Sequence, residues 1–219
     1  MNAETNDKRF YEKKWMSLGN WERQKAPYLK KSAGVEGKTA LNWIKPLLKS
    51  GKVLDIGCGA GRNSVLFSKY GFHAYGVDFS SKAIKLAKIL NIEEKTSALF
   101  SVQSALELKF ENDYFDLAMD YGCFHHLRKN QWKNYIKNLL GVLKPKAYYL
   151  LYCFSKESEE TGNYKSGKNY SYRNHHYNHY FSLGELKETF CKNFRIIRHA
   201  IIRENNRLLA FNLALFERI

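Results

Sequence analysis

Two short segments hold the residues best suited to binding chemistry. Val53-Leu54-Asp55-Ile56-Gly57-Cys58-Gly59-Ala60-Gly61-Arg62-Asn63 runs from apolar sequence into a glycine-rich turn, and Ala74-Tyr75-Gly76-Val77-Asp78-Phe79-Ser80 repeats the pattern further on. Each reads as a buried parallel strand whose carboxyl end opens onto a ligand crevice. The glycine spacing excludes two common ligands. A dinucleotide fingerprint requires a third glycine where this chain has Arg62, and no Gly-Lys-Ser/Thr follows to make a phosphate loop. Asp55, two residues before the first glycine, repels a pyrophosphate but holds an ammonium group. Asp78 lies roughly twenty residues on, the separation at which a carboxylate accepts hydrogen bonds from both ribose hydroxyls.

An adenosine carrying an amino acid meets both demands. Through Asp-Ile-Gly-Cys-Gly-Ala-Gly and Gly-Val-Asp-Phe-Ser the chain resembles the class I S-adenosylmethionine-dependent methyltransferases, and the resemblance extends from about Lys38 to the end. It implies S-adenosyl-L-methionine as cofactor and S-adenosyl-L-homocysteine as product. Asp55, Gly57 and Gly59 would lie along the methionyl moiety, with Cys58, Gly61 and Asn63 completing the loop. Asp78 would bind the ribose, Phe79 would pack beside the adenine, and Ser80 would cap a helix whose amides point towards the adenosine. Gln103-Ser104-Ala105-Leu106 stands where these enzymes recognise the adenine edge, with Ser104 in place of the customary acid. Leu143-Lys144-Pro145-Lys146-Ala147 replaces the family's Leu-Lys-Pro-Gly-Gly and alters the turn. In the polar, aromatic leader, Tyr11 and Trp15, with Trp21, would cover cofactor and substrate.

Asp120-Tyr121-Gly122-Cys123-Phe124-His125-His126-Leu127 falls where methyl acceptors of this family meet the sulfonium. His125 and His126 are candidate proton acceptors because imidazole titrates near neutral pH, and Asp120 and Tyr121 would orient the substrate and touch the cofactor. Neither Asn-Pro-Pro-Tyr nor Asp-Pro-Pro-Tyr nor a Pro-Cys pair is present, which leaves direct displacement on oxygen, nitrogen or sulfur. Thr161 to Tyr164 and Asn174 to Phe181 are dense in tyrosine and histidine and read as a lid that recognises the acceptor. His175 and His179 have the spacing of a helical ligand pair, but without a third ligand no metal site is expected. Gly61-Arg62-Asn63-Ser64 and the aromatic leader resemble the thiol, thiopurine and tellurite-resistance methyltransferases, which implies a small acceptor.

The elements that position these residues form an α/β pattern, a doubly wound, mostly parallel seven-stranded sheet with an antiparallel C-terminal hairpin. Helix 39–49, with Pro46 as kink or break, leads into strand 52–57, helix 61–70, strand 72–78, helix 80–91 and strand 98–103. Strand 114–120, helix 130–143 and strand 147–154 follow. After a break at 155–181 come helix 183–190, strand 194–203, a turn at Asn205-Asn206 and strand 208–216. The whole reads as one domain with a helical cap over 1–50, a cofactor-binding core over 51–154, a lid-like insertion over 155–181 and a closing helix and hairpin.

At 219 residues the chain is long enough for one core that buries about seven-tenths of its unfolded surface. Its net charge of +15 invites a polyanion such as RNA, but the basic residues are scattered in ones and twos rather than in a tract. Cys58, Cys123, Cys153 and Cys191 form no Cys-x-x-Cys pair and read as buried thiols. No apolar run reaches bilayer length and the start lacks a charged leader, so a cytoplasmic monomer or homodimer without membrane partner is expected. The sequence therefore favours methyl transfer to a small molecule. An RNA-modifying enzyme and a non-catalytic S-adenosylmethionine-binding protein are the alternatives.

Overall fold

The computed structural model describes residues 9–13, 15, 35–158, 169–173, 176–203 and 209–219. The chain divides into two compact units, Met1–Glu107 and Leu108–Ile219. Seven strands form a mostly parallel sheet closed by an antiparallel C-terminal pair. Trp21, Thr161 to Tyr164, His175 and Asn205-Asn206 lie outside the described residues.

In the first unit, helix α1 (Val35–Ile44) precedes β1 (Lys52–Ile56). The expected helix over 39–49 thus stops at Ile44, and Pro46 sits in the turn beyond it, where Leu47 N–H donates to the Ile44 carbonyl. β1 pairs in parallel with β2 (His73–Asp78), and β2 with β3 (Leu99–Val102), in the order β3-β2-β1. Helices α2 (Arg62–Lys69) and α3 (Ser81–Glu93) make the crossovers. Val53, Leu54, Ile56, Val77, Ala83 and Ala87 are buried together with Phe67, Phe72 and Phe100, an apolar core of the kind that parallel strands covered on both faces require. α3 starts at Ser80, whose Oγ accepts from Ala83 N–H at 3.2 Å. α2 starts at Gly61, where φ is 77° and a Cβ would come within 2.8 Å of Ala87 and Phe100.

In the second unit, β4 (Phe115–Tyr121) runs parallel to β5 (Leu143–Phe154), which pairs antiparallel with β9 (Ala210–Arg218), itself antiparallel to β8 (Phe194–Arg203). Helices α4 (Lys129–Val142) and α5 (Leu183–Phe190) accompany them. The core here is aromatic: the Phe124 ring centre lies 5.0 Å from Tyr135, 5.4 Å from Phe181 and 5.2 Å from Phe190. β5 begins at Leu143 rather than at residue 147, with its register to β4 shifted where Pro145 has no N–H and Lys146 adopts φ 63°. The expected break at 155–181 contains an antiparallel ribbon, β6 (Tyr170–Arg173) against β7 (His176–His179). Tyr172 faces Tyr177 across it, and such cross-strand aromatic pairs stabilise a short ribbon that periodicity over so few residues does not announce.

Candidate functional site

The first unit gathers the expected cofactor residues at the ends of β1 and β2. Gly57, Gly59 and Gly61 have φ of 69°, 54° and 77°, a left-handed series that keeps side chains off the loop. Asp78, only 6% exposed, organises it: Oδ2 accepts Gly59 N–H at 3.0 Å and Oδ1 accepts Ser80 N–H at 2.8 Å. One carboxylate thereby fixes both the glycine loop and the start of α3. A carboxylate offers about four lone-pair directions, and Asp78 presents its own at the end of β2. Asp55, 1% exposed, turns to α2, where Oδ2 accepts from Ser64 N–H at 3.1 Å and Ser64 Oγ–H at 2.6 Å. Two buried carboxylates at one glycine loop oppose a pyrophosphate and suit a cationic nucleoside, so the residues present fit S-adenosylmethionine.

The other expected cofactor residues divide into loop, cover and rim. Half-buried Cys58 is a poor nucleophile, since burial, then Asp55 and Asp78, raise its thiol well above the ordinary range. Asn63 lies half-buried in the first turn of α2. Trp15 packs on Ala60, Ala83 and Leu86 with Tyr11 beside it, and its ring stands 2.9 Å from where a Gly59 Cβ would be. Tyr11 meets Phe79 edge to face at 5.7 Å. Ser104 Oγ accepts from Leu106 N–H at 3.1 Å, so its hydroxyl stabilises its own turn, with Ala105 half-buried between them.

In the second unit the turn after β4 brings four expected residues together. Asp120 is fully buried, and its oxygens accept from Cys123 N–H at 2.8 Å, Phe124 N–H at 3.0 Å and Tyr135 Oη–H at 2.7 Å. Its carboxylate is thus turned inward onto the 3-10 turn Phe124–His126, and what it orients is that turn. Burial raises Asp120 to about 6, against the lowering effect of the Tyr135 hydroxyl and the turn amides. Half-buried Tyr121 stacks on Tyr152 at 5.5 Å. His125 is 3% exposed and its Nδ1 accepts from Phe154 N–H at 3.3 Å. His126 is half-buried, with Nδ1 3.0 Å from the Tyr177 carbonyl oxygen.

Several residues of this region carry no motif. Tyr135 and Tyr149, 3.1 Å apart through their hydroxyls, close the Asp120 network. Arg128 places its guanidinium 5.6 Å from the Tyr172 ring centre and 5.8 Å from that of Tyr177. His179 is fully buried on a strand rather than a helix, which removes the helical pairing with His175. Its Nδ1 lies 3.0 Å from the Tyr177 hydroxyl and its Nε2 donates to Glu185 Oε1 at 3.0 Å. Burial would raise Glu185, but His179 and Lys129 outweigh it and hold the carboxyl below its ordinary value. Ser182, whose Oγ accepts Glu185 N–H at 3.1 Å, gives the one local signal here, a helix cap three residues before a glutamate. No group of three metal-ligating side chains occurs among the described residues. No described helix is long and apolar enough to cross a membrane.

Residues 53–146 match a family model described as a methyltransferase domain. An uncharacterized methyltransferase of Schizosaccharomyces pombe is 29% identical over 117 residues, covering 52% of this chain and 81% of the relative. Norajmaline N-methyltransferase of Rauvolfia serpentina is 31% identical over 115 residues, covering 50% of this chain and only 38% of that enzyme. In three dimensions the chain is similar to 1,6-didemethyltoxoflavin-N1-methyltransferase of Burkholderia thailandensis, solved with bound 1,6-didemethyltoxoflavin and S-adenosylhomocysteine. The TM-score is 0.73 at 17% identity, with 97% of this chain and 90% of that one covered. With the glycine loop, the strand-end Asp78 and the sheet order within each unit, these likenesses show a methyltransferase domain over residues 53–146 and the fold of the class I S-adenosylmethionine-dependent methyltransferases.

Proposed function

We propose that this enzyme methylates an oxygen, nitrogen or sulfur atom of a small molecule by direct displacement. The observation that carries the reading is Asp78, a buried carboxylate joined to the Gly59 and Ser80 amides at the end of β2. Asp78 binds the ribose diol, and the left-handed glycines let the backbone approach the methionyl chain. Trp15, Tyr11 and Phe79 shield the adenosine from water. S-adenosylmethionine supplies a methyl group already activated on a sulfonium, so the protein need only align the acceptor, exclude water and remove one proton.

Acceptor recognition falls to the turn after β4 and to the tyrosine ribbon, where Arg128 lies over the rings of Tyr172 and Tyr177. Norajmaline and 1,6-didemethyltoxoflavin, named for two of the similar enzymes, are small molecules, which supports an acceptor of that size. Four free thiols suit the reducing cytoplasm. The +15 charge favours RNA as a second acceptor class. Labelled-methyl transfer to phenols, thiols, amines and RNA, beside calorimetry with S-adenosylmethionine, tests the reading. Transfer to a small probe supports it, and transfer confined to RNA at physiological salt replaces it. Cofactor binding without transfer to any of them leaves a sensor.

A further inference from the structure

We propose that the first unit docks onto anionic membrane surfaces through the end opposite its glycine loop, where exposed aliphatic side chains stand among lysines. The three strands of this unit are parallel. Their carboxyl ends therefore open at one end, with the glycine loop and Asp78, and their amino ends lie at the other. Helices α1, α2 and α3 finish at that other end, at Ile44, Lys69 and Glu93. The surface there is made of three connections, residues 45–51 before β1, 69–72 before β2 and 92–98 before β3, with the first residue of each strand.

Side-chain and backbone contacts join the connections into one surface. Lys45 Nζ lies 4.7 Å over the Tyr70 ring centre, and His73 N–H donates to the Gly51 carbonyl at 2.9 Å. Ser97 N–H donates to Ser68 Oγ at 3.3 Å, and Lys69 forms an ion pair with Glu94. The Asn91 amide bonds both the carbonyl and the N–H of Ala98, one residue before Leu99.

Two kinds of side chain meet on this surface. Of the eight large apolar side chains exposed among the described residues, Leu47, Tyr70, Ile92 and Leu99 lie here, with Ile92 76% and Leu99 58% exposed. Exposed apolar groups that gather in one place mark a docking surface, whereas single ones need no explanation. Around them stand exposed Lys45, Lys49, Lys69 and Lys95 and half-buried Lys52. The acids are Glu93 and Glu94, and Lys69 already pairs with Glu94. Lysines scattered in ones along the chain are thus collected by the fold into a positive face.

The chemistry of that face selects its partner. A second copy of the chain would set lysine against lysine. Nucleic acid is recognised by arginine forks and by stacking on aromatic rings, but besides His73 the basic side chains here are all lysines, and Lys45 lies over the Tyr70 ring. A layer of anionic headgroups requires no fixed geometry. Lysine stems run along apolar surface and deliver their ammonium groups to the headgroups, while Leu47, Ile92 and Leu99 reach the acyl boundary. Such docking needs no spanning helix. The described part of the leader lies away from this face, since Trp15 packs on Ala60 and Ala83 at the cofactor end. The glycine loop then faces away from the bilayer, whichever acceptor is methylated.

Vesicle sedimentation with the full chain tests this. At about 0.15 M salt, vesicles of phosphatidylcholine with about 30% phosphatidylserine should sediment the protein, pure phosphatidylcholine should not, and about 1 M salt should release it. Lys45→Glu with Lys49→Glu should lower the partition coefficient about tenfold or more, and Ile92→Ser with Leu99→Ser about threefold or more. Both double variants should keep S-adenosylmethionine Kd within about twofold of the parent, because the loop lies at the other end. Failure to sediment with the anionic vesicles overturns the proposal, as does binding that survives both double variants. A variant that loses cofactor affinity together with vesicle binding makes these residues part of the fold and overturns it too. Binding of single-stranded polyuridylate at the same salt, without vesicle binding and lost in the lysine variant, replaces the membrane by RNA.

Discussion

The loop after β1 and the turn after β4 are both held by a buried aspartate that accepts backbone N–H groups, but the two carboxylates serve different ends. Asp78 accepts two amides, from Gly59 and Ser80, and stands at a loop whose glycines keep side chains away. Asp120 accepts from two amides and a tyrosine hydroxyl among rings, and burial lifts it to about 6. The difference teaches that a carboxylate at a strand end organises a backbone loop when its surroundings are backbone and glycine. Enclosed by aromatic side chains, the same group becomes an internal brace.

The largest test of this contrast is Asp120→Ala, which leaves the Tyr135 hydroxyl and two turn amides without their acceptor. A loss of about 4 kcal/mol of stability in urea unfolding is expected. A variant that stayed as stable as the parent would remove the distinction. The ionisation of Asp120 gives the next effect. Its folded value, about 6, exceeds the ordinary 3.8, so its contribution to stability is fully present below about pH 4 and falls until the pH passes about 6. The total is on the order of 3 kcal/mol. Carbon-13 titration of the Asp120 carboxyl should show its midpoint near 6, whereas a midpoint near 4 would place the group in contact with water.

Asp78→Ala should act on the ligand instead, weakening S-adenosylmethionine by about 2–3 kcal/mol in calorimetry through two lost charge-assisted bonds. Unchanged affinity would end the ribose assignment. The smallest expected effect lies in the second unit, at Lys146→Gly. Relieving a left-handed lysine, at φ 63°, should raise stability by about 0.5–1 kcal/mol in thermal unfolding. A loss there would mean that the lysine side chain contributes more than its backbone strain costs.

The cofactor half was legible because its chemistry is local. Asp55, the glycines and Asp78 lie on two consecutive strand ends, and Ser80 caps the next helix as its type and place suggest. The turn after β4 was legible only in outline. Asp120, His125 and His126 stand out as residue types, but Tyr135 and Tyr149, which brace Asp120, and Tyr177 and His179, which hold His126, are separated from them by long stretches of chain. The ribbon over 170–179 hides in a polar segment because each strand has only four residues.

The sequence alone determined the α/β order, the glycine loop and the identity of the two carboxylates, since strand period, glycine conformation and helix caps are set by near neighbours. Tertiary structure alone decided that Asp120 faces inward and that the Nδ1 atoms of adjacent histidines meet opposite kinds of partner. Those properties depend on whether a carbonyl or an amide from a distant strand meets each ring, and pairing between distant strands is written in no local pattern.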